Sequence, residues 1–371
     1  MNHLLRNTIL VIFLFVGMQA YPQEANQTAQ SEGQTVQPEK QKGNLDVTEL
    51  IMDHVGDAYE WHITTFGHTY VSIPLPVIVK GKDSGWQIFS SARFEHGTVG
   101  YQGFYISQEG NYKGKIVEKD ASGEEVRPWD LSITKNACSL LLSSAGLIVL
   151  ILLCARWYKQ RKEKPEEVSP KGFIGMMEML IMSIVNDVVK PCIGKNYKRY
   201  TPYLLTVFFF IFFNNLLGII PIFPGGANVT GNIAITCVLA LFTFVIVNVS
   251  GTKEYWKDIF WPDVPIWLKI PPIMPAIELV GVFTKPFALM IRLFANILAG
   301  HSIVLGLTCM IFLTVSLGAA MNTGMSVLSV VMTVFIDLVE LLVAFIQAYV
   351  FTMLSAVFIG LAQAEPHHVK N

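Results

Sequence analysis

The sequence is poor in charge. Of 371 residues only 15% are Asp, Glu, Lys or Arg, against roughly 25% in an ordinary soluble domain. The formal net charge is −1, so no basic field marks a nucleic-acid partner and none is expected. Cysteine is scarce too. Cys138, Cys154, Cys192, Cys237 and Cys309 have no metal-ligand spacing, and all but one lie in strongly apolar stretches. That excludes a zinc centre or a disulfide framework as the organising feature. What is abundant is apolar: 52% of residues are hydrophobic and the mean hydropathy is +0.46. An ordinary cytosolic enzyme is excluded, and an all-α polytopic membrane protein is expected.

The remaining charge is unevenly distributed. Residues 1–20 combine Arg6, the apolar run TILVIFLFVGM and Ala20, the pattern of a secretory signal peptide. The run is too short for a ~30 Å hydrocarbon core, which takes about 20 residues. Met18 is large for a residue just before a cleavage site, so an uncleaved anchor is the alternative. Residues 21–44, rich in Gln, Glu, Ser, Thr and Pro, read as a disordered linker. From 45 to 135 the composition turns globular. VTELIMDHV is helix-like, and EWHITTF, HTYVSIPLPVIVK, WQIFSSARF, TVGYQGFYIS and YKGKIVEKD are short β-like runs between turn signals. A small β-containing domain is expected here. His54, His62, His68 and His96 within it show no ligand spacing.

Residues 136–366 form the membrane part. The first span, CSLLLSSAGLIVLILLCA, is followed by Arg156, Lys159, Arg161, Lys162 and Lys164. The positive-inside rule puts these in the cytoplasm and the preceding domain outside it, in agreement with the export signal. Glu178, Asp187 and Lys190 interrupt residues 172–190, which read as an amphipathic helix at the cytoplasmic face. Spans at 201–220 and 232–250 flank an outer turn at 221–231 that has no Lys or Arg. Two apolar segments, 276–317 and 326–363, remain. At 1.5 Å per residue each is ~55–60 Å long against a ~30 Å core, more than an ordinary tilt absorbs. Each is either two short passes or one steeply inclined helix. No Pro or Gly interrupts 326–359, which favours the inclined helix. About five membrane segments result, with the C-terminus cytoplasmic.

From Leu293 to Val369 there is no Lys or Arg, and only Asp337, Glu340 and Glu365 are acidic. A charge at bilayer depth costs at least ~2.5–3.5 kcal/mol, and its default reading is an ion pathway or relay. Glu278, Lys285 and Arg292 are seven apart and Asn296 continues their stripe at i+4. His301 falls half a rotation from Arg292. On the last helix Glu340 and Gln347 share a stripe, with Asp337 one turn earlier. Arginine stays charged and cannot relay protons by titration, but it lowers the pKa of a carboxylate brought beside it. A His–carboxylate pair passes protons near neutral pH. A fixed cation beside a separate titratable pair is what a gated proton path needs. The bland readings are an Arg292 ion pair with Glu278 or Asp337, a packing role for His301, snorkelling of Lys285, and Asp337 capping the outer end of the last helix.

FTKPFALMIRLFANILAGH, with FIQAYVFTMLSAVFIGLAQAEPHH downstream, closely resembles subunit a of the rotary ATP synthase membrane sector. NNLLGIIP, ANVTGN and the spacing of Glu278 from Arg292 support the resemblance, which covers residues 170–366 strongly. It implies a non-catalytic stator subunit of a bacterial inner membrane. Its partners would be the c-ring, the peripheral stalk subunit b and membrane lipid, and it would have no cofactor. Arg292 would separate two half-channels and discharge each rotor carboxylate. Asn296 and Gln347 match polar residues near that arginine, His301 and Glu340 the titratable pair of the outer channel, and Glu278 an acid on the exit side. His before acid is the order of mitochondrial members; enterobacterial members have the reverse. Gly218 stands where enterobacterial members have an acid, which leaves Asn214, Asn215 and Asp337 as candidates to supply that polarity. Proton is the expected coupling ion because His301 and Glu340 form a protonic relay, with Na⁺ the alternative. A self-contained proton-coupled secondary transporter would need an internal repeat and paired broken helices, and the sequence shows no convincing repeat.

Overall fold

The structure is a computed structural model that describes residues 56–363 except 67–68, 83–84, 121–122, 162–169, 171, 221–224 and 262–272. The expected signal peptide 1–20, the linker 21–44 and the helix-like VTELIMDHV lie outside the described residues.

Residues 56–130 form three small antiparallel sheets. A hairpin pairs β1 (Glu60–Phe66) with β2 (Thr69–Pro74). β3 (Pro76–Gly81) lies between β4 (Gly85–Ser90) and β8 (Trp129–Asp130). β6 (Ile116–Lys119) lies between β5 (Phe104–Ile106) and β7 (Glu125–Val126). Alternation along β3 turns Val77 and Val79 inward, where they meet Tyr59, Phe94, Phe104 and Ile116. The β-like runs between turn signals were legible in the sequence. The two-residue strands β7 and β8 were not, because two residues carry no period. Tyr59 is buried in this core and donates a 2.5 Å hydrogen bond to Asp130 Oδ2. Burial first, and the Asp130 charge next, push its hydroxyl above the ordinary tyrosine range.

The chain passes from this domain into the first long helix, α1 (Lys135–Arg161), without a slack linker. The Leu131 N–H donates to Ile78 O, Ile133 N–H to Pro76 O and Lys135 N–H to Ala58 O. The Asn136 N–H, at the head of α1, donates to Asp57 Oδ1 at 3.0 Å. Trp61 and Ile73, cross-strand partners in the first hairpin, pack into the core of the helical part.

Five helices among the described residues are long and apolar enough to cross a membrane. α2 (Phe173–Ser183) runs through a π-helical turn (Ile184–Val189) into α3 (Lys190–Ile193). Gly194, at φ +71°, breaks the chain before α4 (Tyr197–Ile219). α5 (Ile233–Ser250) and the short α6 (Lys253–Phe260) follow. α7 (Ile273–Leu313) and α8 (Ala319–Ala362) have 41 and 44 residues, ~62 and ~66 Å at 1.5 Å per residue. Each is a single helix, so the reading of two short passes per segment falls away. The turn between them comes at Gly318, φ +100°.

The helical core is built where α4 meets α8. Leu204, Phe208 and Ile211 of α4 are fully buried, as are Ala344, Ala348, Ala356 and Ile359 of α8. The alanines let the two backbones approach closely, which is how helices associate where lipid removes the hydrophobic drive. Gly360 is needed for the same reason: a Cβ there would lie 1.9 Å from the Cys192 carbonyl oxygen. α7 joins through Leu289 and Leu293.

Two expectations need correction. Residues 172–190 are not one regular amphipathic helix, since the π turn shifts its phase. Asp337 does not cap the outer end of the last helix, because α8 begins at Ala319, well before it.

Candidate functional site

α7 and α8 pack along each other and bring two polar pairs together. The first is His301 with Glu340: His301 Nδ1 lies 3.4 Å from Glu340 Oε1. The Glu340 side chain is 6% exposed and that of His301 20%. The second pair lies one to two turns away, where Asn296 Nδ2 donates to Gln347 Oε1 at 2.9 Å. Gln347 is buried, and its Nε2 has no partner among the described residues. A buried, unpaired amide donor is costly, and it marks a position where a polar group from elsewhere would be welcome.

Space for the first pair comes from glycine. A Cβ at Gly300 would lie 2.9 Å from Glu340 Oε1 and 3.1 Å from its Cδ, so the carboxyl occupies the volume that a side chain would fill. Gly218, at the end of α4, faces the other ring nitrogen. A Cβ there would lie 3.6 Å from His301 Nε2 and 3.8 Å from the Ala227 carbonyl oxygen. The imidazole therefore sits between the Glu340 carboxyl and the Gly218 backbone.

Arg292 lies on a different face. It is exposed, as are Lys285 and Asn296 on its stripe and Ala288, Ala295 and Ala299 beside it. Among the described residues no carboxylate pairs with it, so neither Glu278 nor Asp337 holds it as a structural ion pair. Lys285 Nζ stands 5.8 Å from the centre of the Phe358 ring, a cation–π contact with α8.

Glu278 lies near the start of α7, half-buried beside α6. The Tyr255 hydroxyl of α6 is pushed above its ordinary range by burial first and by the Glu278 charge next. A cavity of ≈ 20 Å³, room for about one water, opens nearby and is lined by Thr243, Asn248, Tyr255, Lys285, Pro286 and Phe358 among others. The lining from α5 and α6 was illegible in the sequence, since a Thr, an Asn and a Tyr carry no unusual signal one at a time.

The remaining candidates separate. Asn214 is saturated by packing: its Oδ1 accepts from Ser143 of α1 and its Nδ2 donates to the Phe210 carbonyl. Asn215 points toward α8, where Nδ2 reaches the Ala344 carbonyl at 3.5 Å, and its Oδ1 accepts from Thr230 at 2.6 Å. Asp337 is half-buried on α8, one turn before Glu340. Sequence reasoning missed Thr230 and Gly300; for Gly300, the spacing to His301 and the lack of any turn requirement inside a helix was the available signal.

Fold and site together define a multi-pass membrane protein with a titratable pair enclosed between two overlong helices and, on an adjoining face, an arginine with no carboxylate beside it among the described residues. The family model described as "ATP synthase A chain" matches residues 140–360. A second, "Domain of unknown function (DUF8433)", matches residues 50–131. "ATP synthase subunit a" of Chlorobium phaeobacteroides (strain DSM 266) is 43% identical over 246 residues, 65% of this chain and 68% of that protein. "ATP synthase subunit a 2" of Prosthecochloris aestuarii is 43% identical over 65% of this chain and 71% of its own length. "ATP synthase subunit a" of Myxococcus xanthus is 43% identical over 64% and 75%. The chain belongs to the ATP synthase A chain family.

Proposed function

We propose that this chain is the stator subunit of a rotary ATP synthase membrane sector. It carries protons to and from the carboxylates of a rotating c-ring and so couples ion flow to ATP synthesis. Catalysis of ATP formation belongs to other subunits of the complex. The observation that carries this reading is Arg292, a permanent cation exposed on an apolar helix with no carboxylate beside it among the described residues. The most apolar 18-residue stretches of α7 and α8 are also the least covered by the chain itself, with 11% and 17% of their residues buried against 28–44% in the other spans. An uncompensated charge on so bare a surface needs a partner from outside the chain, and a rotor carboxylate supplies one. Ala288, Ala295 and Ala299 leave room for another helix to approach that charge.

In this reading protons reach the ring through His301 and Glu340. Near neutral pH an imidazole accepts a proton at one nitrogen and releases one from the other, and the two nitrogens here face Glu340 and Gly218. Asn296 and Gln347 line the way toward Arg292. When a protonated rotor carboxyl meets Arg292, the guanidinium favours the ionised form and the proton leaves. The exit runs past Glu278 and the cavity at Tyr255 and Lys285. Arg292 also bars a direct leak, since a fixed cation repels a proton moving between the two paths. One charge moved through 100 mV is worth ~2.3 kcal/mol, the scale of work that each step delivers. The domain at 45–135 lies outside the cytoplasm, the C-terminus inside, and a peripheral stalk holds the subunit against rotation.

The secondary-transporter reading gains nothing from α7 and α8, which are unbroken through the site, and no paired half-helices occur among the described residues. The deciding experiment is Arg292→Ala in inverted membrane vesicles. ATP-driven proton pumping should be abolished, and pumping at the parental rate would remove the assignment.

A further inference from the structure

The segment joining α4 to α5 carries ANVTGN, and its described part, residues 225–231, is not a surface turn. Ala227, Val229 and Thr230 are each at most 2% exposed. The Gly226 N–H donates to the Leu217 carbonyl near the end of α4. Asn228 Oδ1 accepts from the Gly231 N–H at 2.8 Å, so tightly that a Cβ at residue 231 would overlap the carboxamide. The segment is thus clamped back onto the helices, and Thr230 is its deepest polar group.

Thr230 Oγ1 donates to Asn215 Oδ1 at 2.6 Å. The other end of the same carboxamide, Asn215 Nδ2, reaches the Ala344 carbonyl of α8 at 3.5 Å. Ala344 lies one helical turn after Glu340 and three residues before Gln347. A carboxamide is planar, so fixing its oxygen also fixes the direction of its N–H groups. Thr230 therefore decides how Asn215 meets the turn of α8 that carries Glu340. Packing alone would not select such a pair, because apolar side chains of the same shape hold two helices together at no cost in buried polar groups.

We propose that Thr230 is a positioning residue for the His301–Glu340 pair, acting through Asn215 on the Glu340-bearing turn of α8. This rests on the stator reading above. It assigns a task to a residue of the outer segment that hydrogen-bonds to Asn215 and, among the described residues, to neither member of the pair.

The test uses the full chain in the assembled complex, in inverted membrane vesicles, with ATP-driven proton pumping and ATP hydrolysis measured on the same preparation. Thr230→Val keeps the shape and removes the donor. Pumping per ATP hydrolysed should fall about fivefold, the worth of one buried hydrogen bond. Thr230→Ser restores the hydroxyl and should pump close to the parental rate. Parental pumping by Thr230→Val, or a Thr230→Ser chain as poor as Thr230→Val, overturns the proposal. Should the valine chain not assemble, Thr230→Ser carries the test: parental pumping supports the hydroxyl's role and a clear loss overturns it. The exchange Asn215→Thr with Thr230→Asn keeps a hydroxyl and an amide in contact but takes the amide away from Ala344. It should assemble and pump poorly, and normal pumping would show that packing is all the pair provides. Arg292→Ala is run alongside. Its loss of pumping with Thr230→Val unaffected overturns this proposal alone, while its normal pumping overturns the stator reading.

Discussion

His301 Nδ1 meets Glu340 Oε1 at 3.4 Å across the seam of the two longest helices. Both side chains are largely enclosed there, Glu340 at 6% exposure and His301 at 20%. Asp337, one turn earlier on α8, is the charged group closest to them in sequence.

That contact predicts non-additive losses. His301→Ala and Glu340→Ala should each impair ATP-driven pumping, and the double variant should be little worse than the worse single one. Groups acting as a unit behave this way, since removing one leaves little for the other to do. Clearly additive losses in the same vesicles would contradict a shared relay.

Gly300 makes the contact possible, and its replacement is predicted to break it. Gly300→Ala would bring a Cβ to 2.9 Å from Glu340 Oε1, so the carboxyl must move. Overpacking of this kind costs about 1–3 kcal/mol. Here the cost should appear as slower pumping in an assembled complex. Cross-linking between α7 and α8 should remain normal if the helices keep their seam. Unchanged pumping would mean that Glu340 has a second, equally good position.

The N-terminal domain gives a different prediction. Trp61 is 3% exposed and packs into the helical core. Trp61→Ala should therefore loosen the domain from α1 and α4, at a cost of about 3–5 kcal/mol for a buried aromatic. Limited proteolysis should cut more readily between residues 56 and 135, while Arg292-dependent pumping stays at the parental rate. A loss of pumping that tracks the loss of docking would make the domain part of the channel's support.

Much of the architecture was legible beforehand, for a physical reason. The apolar runs, the basic residues after the first span and the uninterrupted stretch 326–359 are local properties, and the bilayer acts on them locally. The polar residues of the last two helices stood out because each is expensive where it sits. Arg292, His301, Glu340 and Gln347 could be singled out by that cost alone. The seven-residue spacing of Lys285 and Arg292 likewise put them on one stripe, and the packing of α7 leaves that stripe exposed.

The tertiary structure decided what spacing could not. A helical period says which residues share a face but not what stands opposite, so Asn214 and Asn215 looked equivalent. Packing gave Asn214 to the first span and Asn215 to the Glu340 turn. It also folded Thr230 inward from a segment that reads as a loop, and set Gly300 beside Glu340 and Gly218 beside His301. Glycine leaves no pattern of its own; its importance lies in the atom it lacks, and only a neighbour brought close by the fold reveals it. The scarcity of charge determined that a few residues must carry the chemistry. Which of them meet was set by helices crossing where alanines allow their backbones to come near.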